Sequence, residues 1–434
     1  MKTRKLIQYI IPLCLSISLS AKDIYNVDEL ILLALKNAPD LQSSAAEFEA
    51  SKMRVARAFG SYLPQVDLLL SAGKQGMSDI PENPDEIVND RLLLGKLSLS
   101  QLLYDFGKTS SNVESYDFEA QAFAMSNEQK ISNKMRDVKS AYFAVLQALA
   151  LIKINKENLA LGEEQLKRAQ KYLQAGTRTQ IDISDAKIAL LKAQKELKKS
   201  NYNLKLAYAI LDDSVGFAEA KNDYSVYAKE LDLNTLYSTL NEYEMSLEES
   251  VAFAYENRFE IKKQKSILQS SEAKSALAGA EYYPSLYFGA DYTKQSTEIL
   301  KDILPNDKWQ AALNLNWNLY KGGSSDANIQ EKRIQNSISQ SALMSTKLSI
   351  KKETTTAFIT MYKNKDNVEL SQSLLEASRE KFNQATQRYE NKLSDYIEFQ
   401  QSRQEYIDAM STLVIDYYSY HNAIAVLDNT IGRY

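Results

Sequence analysis

The chain has 434 residues, a formal net charge of −4 and only 13 Gly and 7 Pro. That charge leaves no basic footprint for nucleic acid, and the scarcity of Gly and Pro marks a mostly helical chain. A single histidine, His421, and a single cysteine, Cys14, are too few for the common zinc sites or for histidine-based catalysis, so neither a cofactor nor an enzymatic activity is expected.

Residues 1–21 read as an export signal. Lys2, Arg4 and Lys5 form a basic start, Leu6 to Leu19 is apolar, and Ser18-Leu19-Ser20-Ala21 supplies small residues for cleavage. A transmembrane anchor is the alternative, opposed by the shortness of the run and by Pro12. Cys14 lies inside this segment, where the large Leu13 before it disfavours lipid attachment, so the mature chain would carry no thiol or disulfide. No later stretch is apolar enough to span a bilayer as a helix, so membrane insertion would require strands.

Val27 to Asn37 reads as a short amphipathic helix, broken at Ala38-Pro39-Asp40 and followed by a second helix to about Tyr62, which Pro64 ends. The period then changes to two. Val66, Leu68, Leu70 and Ala72 oppose Gln65, Asp67 and Ser71 in a strand over about 64–73. Leu93, Leu97 and Leu99 oppose Lys96, Ser98 and Ser100 over about 92–103, and the polar loop from Met77 to Asp90 makes the two a hairpin.

From Ala124 the pattern becomes a heptad: Ile131, Val138, Val145, Ile152, Leu159, Leu166 and Leu173, then Ile183, Leu190, Leu197, Leu204 and Leu211. So long a seven-residue apolar repeat is a coiled-coil seam. Gly176 marks a turn reversing one long helix into another, a hairpin roughly 100 Å long at ~1.5 Å per residue. Small residues recur beside the seam at Ala186, Ala193, Ser200 and Ala207, which suits close helix approach.

The plan then repeats. Asn37 matches Asn257 and Pro64 matches Pro284, displaced by 220. Tyr104 matches Tyr320, Gly107 matches Gly323 and Ile181 matches Ile397, displaced by 216. The chain divides into a first repeat over 22–211, a linker over 212–246 and a second repeat over 247–434. In the second repeat, strands fall at about 284–295 and 309–320. There Trp309, Leu313, Leu315 and Trp317 face one way and Asn314, Asn316 and Asn318 the other.

Four two-faced strands of about ten residues match the length of transmembrane β-strands. Four cannot close a barrel, and open edges cannot sit in lipid, so closure requires several chains; three would give twelve strands. A soluble four-stranded sheet is the alternative, and it leaves the face of Trp309, Leu313, Leu315 and Trp317 without a cover.

With these elements in place, the chain resembles the TolC family of trimeric outer-membrane efflux and secretion ducts over essentially its mature length. The carriers are the duplicated helix–hairpin–helix unit, Pro64 and Pro284 before the strands, and the strand exits Leu103-Tyr104-Asp105-Phe106-Gly107 and Leu319-Tyr320-Lys321-Gly322-Gly323. These exits are similar to the family's Leu-Tyr-Asp-Gly-Gly signature, with Phe106 in place of its first Gly and Lys321 in place of its Asp. The turn Ala175-Gly176-Thr177-Arg178-Thr179-Gln180-Ile181-Asp182 is also similar to the family's. Lys392 stands where the second turn usually has Gly, and Ser394 where some members carry a gating Arg, so that salt bridge has no counterpart here.

The resemblance implies a mainly α chain with a transmembrane β part. In a homotrimer it would build a 12-stranded β-barrel in the outer membrane of a Gram-negative cell and a 12-helix tunnel in the periplasm. It implies a periplasmic adaptor and an inner-membrane transporter as partners, in a tripartite efflux pump or a type I secretion system. Adaptor docking is placed on the turns at Ala175, Gly176, Thr177, Lys392 and Leu393, and the acidic pair of the periplasmic constriction on Glu398 and Gln401. Asp182 and Asp185, three apart on one helix face, are further candidates for a ring of carboxylates that would favour cations. The bland reading of these acids is a solvated helix face. Two rival readings of the whole chain are a periplasmic coiled-coil structural or adaptor-like protein without a pore, and an exported helical enzyme.

Overall fold

The structure is a computed structural model describing residues 23–77, 88–176, 179–217, 224–240, 242–296, 307–391 and 393–433. The expected export signal, the tips of both hairpin loops, Thr177 and Lys392 lie outside the described residues. In chain order the elements are β1 (Asp23–Tyr25), α1 (Val27–Asn37), α2 (Pro39–Phe59), β2 (Gln65–Met77), β3 (Val88–Tyr104), α3 (Lys108–Gln174) and α4 (Gln180–Val215). They continue with β4 (Tyr224–Val226), α5 (Leu247–Asn257), α6 (Phe259–Ala280), β5 (Ser285–Ser296), β6 (Asp307–Asn316), α7 (Ser324–Glu390) and α8 (Tyr396–Ile431).

Local chemistry sets the helix ends. α1 opens on Asn26, whose side chain accepts from the Glu29 amide at 2.8 Å while Glu29 accepts from the Asn26 amide at 2.9 Å. α5 opens the same way on Ser246 and Glu249. Asp105 accepts from the Thr109 amide at 2.7 Å as α3 begins. α4 and α8 both end on glycines with positive φ, Gly216 at 80° and Gly432 at 83°.

The chain forms two compact units. One holds the described parts of Met1–Asn37, Asp137–Thr239 and Val368–Tyr418. Here α3 packs on α4, and α7 on α8, through equivalent polar rungs. Asn155 donates to Ser200 Oγ at 2.7 Å, and Ser371 donates to Asp416 in the other pair. The buried face of α4 is made of Ala186, Ala193, Ser200 and Ala207, and Leu190, Leu197 and Leu204 are only half-buried. The heptad leucines thus flank that contact, because small side chains let the backbones approach and push the larger ones aside. In α7 and α8 the larger residues themselves are buried: Val368, Leu375, Phe399 and Leu413. β1 pairs in parallel with β4.

The other unit, Ala38–Arg136, Leu240–Asn367 and Ser419–Tyr434, contains one antiparallel sheet in the order β2-β3-β5-β6. Its register carries each face across all four strands. Leu68 pairs with Leu97, Leu97 with Tyr292 and Tyr292 with Trp309; on the other face Asp67 pairs with Ser98, Ser98 with Asp291 and Asp291 with Gln310. A slip of one residue would reverse every side chain. The last strand stops at Asn316, opposite Ser285, because Pro284 before Ser285 has no N–H to extend the ladder. Trp317 and Asn318, assigned above to a strand reaching 320, therefore lie beyond it.

Candidate membrane, pore and docking surfaces

The apolar sheet face is uncovered. Val66, Leu68, Leu70, Leu93, Leu313 and Leu315 are exposed, and Trp309 is 78% exposed. Aromatic residues bound this face at both ends. At one end Tyr292 and Trp309 are cross-strand partners. At the other, Phe106 stacks on Tyr283 at 5.1 Å and meets Tyr104 edge-on at 4.7 Å, and the Trp317 indole N–H donates to the Tyr282 carbonyl at 3.0 Å. From Trp309 to Trp317 is about 26 Å along the strand direction. With the usual barrel tilt that length gives an apolar band about 20 Å tall between aromatic rings, close to what a lipid-facing barrel surface requires. The opposite face carries the polar groups, with Lys96 paired to Asp291 at 3.2 Å and Asn314 and Asn316 in line, alongside Leu69, Leu94 and Leu102. Among the described residues no helix is long and apolar enough to cross a membrane.

Phe106 is the one described non-glycine residue with positive φ, at 53°; its counterpart is Gly322 at 62°. The departure from the glycine signature thus falls where the backbone requires the left-handed region, and the rings of Tyr104 and Tyr283 hold the strained residue in place.

The candidate gate residues lie in the helical unit. Phe399, Tyr389, Tyr396, Ala169 and Ala186 form a buried cluster, with Phe399 stacked on Tyr389 at 5.1 Å. Burial pushes the Tyr396 phenol up to about 12, with Asp185 and Asp182 adding to the rise and Arg403 opposing it. Glu398 is exposed beside this cluster; its amide donates to Asp395 at 2.9 Å and its carboxylate lies 3.5 Å from Arg388 Nε. Gln401, one turn on, is exposed and donates to Glu405 at 3.1 Å. Asp182 accepts from the Thr179 amide at 2.8 Å and from its hydroxyl at 3.0 Å, which makes it the acid of the capping box that Thr179 opens on α4. Asp185 is half-buried near Tyr396. Glu398 and Gln401 therefore share one exposed face of α8, whereas Asp182 already serves a helix end.

Arg403 escaped sequence reading. It is 2% exposed, donates to the Asn158 carbonyl at 2.8 Å and to the Asn158 side chain, and lies 3.5 Å from Gln400 Oε1. Burial lowers its pKa. Its spacing of four from the buried Phe399 was the available signal.

Ala175 and Gly176 are exposed, and Gly176 has φ +69° with open space where a Cβ would lie. Leu393 is exposed at the second turn, its amide donating to Arg388 O at 2.8 Å. Among the described residues no group of three His, Cys, Asp or Glu is arranged to hold a metal ion.

The family profile described as Outer membrane efflux protein matches residues 30–216 and 252–433. The chain belongs to the outer membrane efflux protein family. It is similar to the outer membrane efflux protein BepC of Brucella suis biovar 1 (strain 1330), with 28% identity over 192 residues. That alignment spans 43% of this chain and 39% of the curated relative's length. Its fold is that of solved channel structures. A membrane protein from Pseudomonas aeruginosa has a TM-score of 0.82 at 16% identity, covering 94% of this chain and 93% of its own. The outer membrane protein VceC from Vibrio cholerae has 0.81 at 16%, covering 94% and 96%, and the Campylobacter jejuni CmeC outer membrane channel has 0.81 at 16%, covering 94% and 85%. Membership in this family places the protein in the outer membrane of a Gram-negative cell and outside the enzymes.

Proposed function

We propose that three copies of this chain form an outer-membrane duct for small molecules or proteins leaving the periplasm. It would be the exit component of a tripartite efflux pump or type I secretion system, supplied by an inner-membrane transporter through a periplasmic adaptor. The observation that carries this reading is the sheet. One apolar face runs in register across four strands between two aromatic ends, yet β2 and β6 each pair on one side only within the chain. Such edges are tolerated in lipid only when paired. Joining β6 of one copy to β2 of the next closes twelve strands, with Asn314 and Asn316 toward the lumen and Trp309, Leu313 and Leu315 toward lipid. Trp317 belongs to the aromatic ring at the end of that surface. The exposed Ile181, Ile188, Tyr202, Leu206 and Ile210 on α4 support the same reading, because a neighbouring copy would cover them. A periplasmic coiled coil without a pore leaves the sheet face unexplained.

Three copies of Glu398 and Gln401 then ring the constriction, with the Arg388 of each chain offsetting part of the charge. The test is native mass measurement of detergent-extracted protein followed by planar-bilayer conductance. A trimer that prefers cations and is blocked by a trivalent cation is expected, and Glu398→Gln weakens both properties. Recovery as a monomer released without detergent refutes the duct. A conducting trimer indifferent to Glu398→Gln refutes the acidic ring alone.

A further inference from the structure

Residues 227–234 follow β4 as an irregular strap in the helical unit, ending in a turn at Leu233 and Asn234. The strap is tied down at both ends. The Tyr142 hydroxyl donates to the Tyr227 carbonyl at 2.6 Å, and Lys153 pairs with Glu230 at 2.7 Å. At the far end Gln372 Nε2 donates to the Asn234 carbonyl at 2.9 Å, Gln372 Oε1 accepts from the Tyr237 amide at 2.7 Å, and Arg379 donates to the Asn234 side chain. Between these ties Leu231 and Leu233 are half-buried while Glu230 and Asp232 face solvent. The strap roofs a cavity of about 480 Å³ whose floor includes Ala150 and Ile154 of α3 and Met410 and Val414 of α8.

The cavity opens to solvent on one side, where Lys153, Glu157 and Lys229 are exposed. Its floor is apolar, with Leu146, Leu149, Ala150 and Ile154 of α3, and its rim is charged. The volume falls in the range of small-molecule sites, roughly 300–1,000 Å³. The charged residues at its rim cancel: Lys153, Lys229 and Arg379 against Glu157, Glu230 and Asp232. A charged ligand therefore gains no net attraction. The uncharged polar side chains left in the lining are the phenols of Tyr406 and Tyr418, which can donate to a ligand. The exposed Lys153–Glu230 pair is the tie to α3 that solvent competes with most readily.

We infer that the cavity beneath the 227–234 strap is a binding site for an uncharged, largely apolar organic molecule of drug size. The site is separate from the acidic constriction and from the sheet.

The test uses the full chain with Cys14→Ser in lipid nanodiscs, carrying one new cysteine at a half-buried lining position, either Ala150→Cys or Leu146→Cys. Labelling by N-ethylmaleimide is followed by mass, with N-phenyl-1-naphthylamine as the uncharged probe. Protection of roughly tenfold is expected at both positions at a probe concentration about ten times its Kd. The anionic analogue 8-anilinonaphthalene-1-sulfonate should protect less, and Lys156→Cys, exposed on α3, should not be protected. Filling the cavity with Ala150→Phe should abolish protection of Leu146→Cys. Absence of protection at both lining positions, equal protection at Lys156→Cys, or stronger protection by the sulfonate overturns the inference.

Discussion

Placing an arginine on the lipid-facing side of β6 tests the membrane reading where it is most exposed to error. Leu313 pairs with Phe288 on the apolar face, is 67% exposed in the single chain, and sits midway between Trp309 and Trp317. Four residues separate it from each ring, about 13 Å along the strand and about 10 Å in depth once the usual barrel tilt is taken. That is the bilayer midplane, where an arginine costs about 2–4 kcal/mol per chain and so about 6–12 kcal/mol per trimer. Leu315 lies two residues nearer the lower ring, one position from the end of the ladder, so Leu315→Arg should cost less. Asn314 is at nearly the depth of Leu313 but on the polar face, beside Gly289, whose missing side chain leaves room. Asn314→Arg should therefore cost about 0–1 kcal/mol. Guanidinium unfolding in lipid vesicles, together with the yield of assembled trimer, measures the order Leu313→Arg, then Leu315→Arg, then Asn314→Arg. Equal stability of the Leu313 and Asn314 variants would refute the face assignment, and a larger loss at Leu315 would refute the depth argument.

Gly176→Trp should leave trimer yield nearly intact, because its side chain meets open space and the positive φ costs only about 1 kcal/mol. It should still abolish dye efflux from cells if the turn meets an adaptor, and Leu393→Asp should do the same. Phe106→Gly releases backbone strain while losing two ring contacts and should be near neutral; Phe106→Ala keeps the strain and should lose about 1–3 kcal/mol in thermal unfolding. Equal stability of the two would show that the φ value carries no cost. Burial lowers the pKa of His421, so the unfolded chain binds its proton more readily. The stability this contributes is present above the ordinary histidine pKa near 6.5 and is lost as pH falls below it, at up to about 1.4 kcal/mol per pH unit. His421→Gln should flatten that part of the stability profile, measured by denaturant unfolding between neutral and mildly acid pH.

Periodicity alone specified the mainly helical class, the change to strands after Pro64 and Pro284, and the two faces of each strand. These signals are local: a heptad or an alternation is complete within one segment. The faces of Leu68, Leu97, Tyr292 and Trp309 can each be read without knowing that the four side chains join into one surface. The helix seam was legible only in part. The heptad leucines of α4 mark its register, but which residues reach the bottom of the contact depends on how closely α3 approaches, and there Ala186, Ala193, Ser200 and Ala207 win.

The candidate site divides along the same line. That Glu398 is exposed beside the buried Phe399 follows from a rotation of about 100° per residue. That Asp182 is engaged as a helix cap, that Glu398 has Arg388 within 3.5 Å, and that Arg403 is buried against Asn158 do not follow from any spacing. Those partners come from other turns or other helices, as far as 245 residues away. The same holds for the strap over α3 and α8, whose leucines look like any linker's until the ties at Tyr142, Lys153 and Gln372 bring them over a cavity. Sequence determines what each segment can bury; only the tertiary structure decides what lies opposite it, because long-range pairing depends on the whole set of helices closing together.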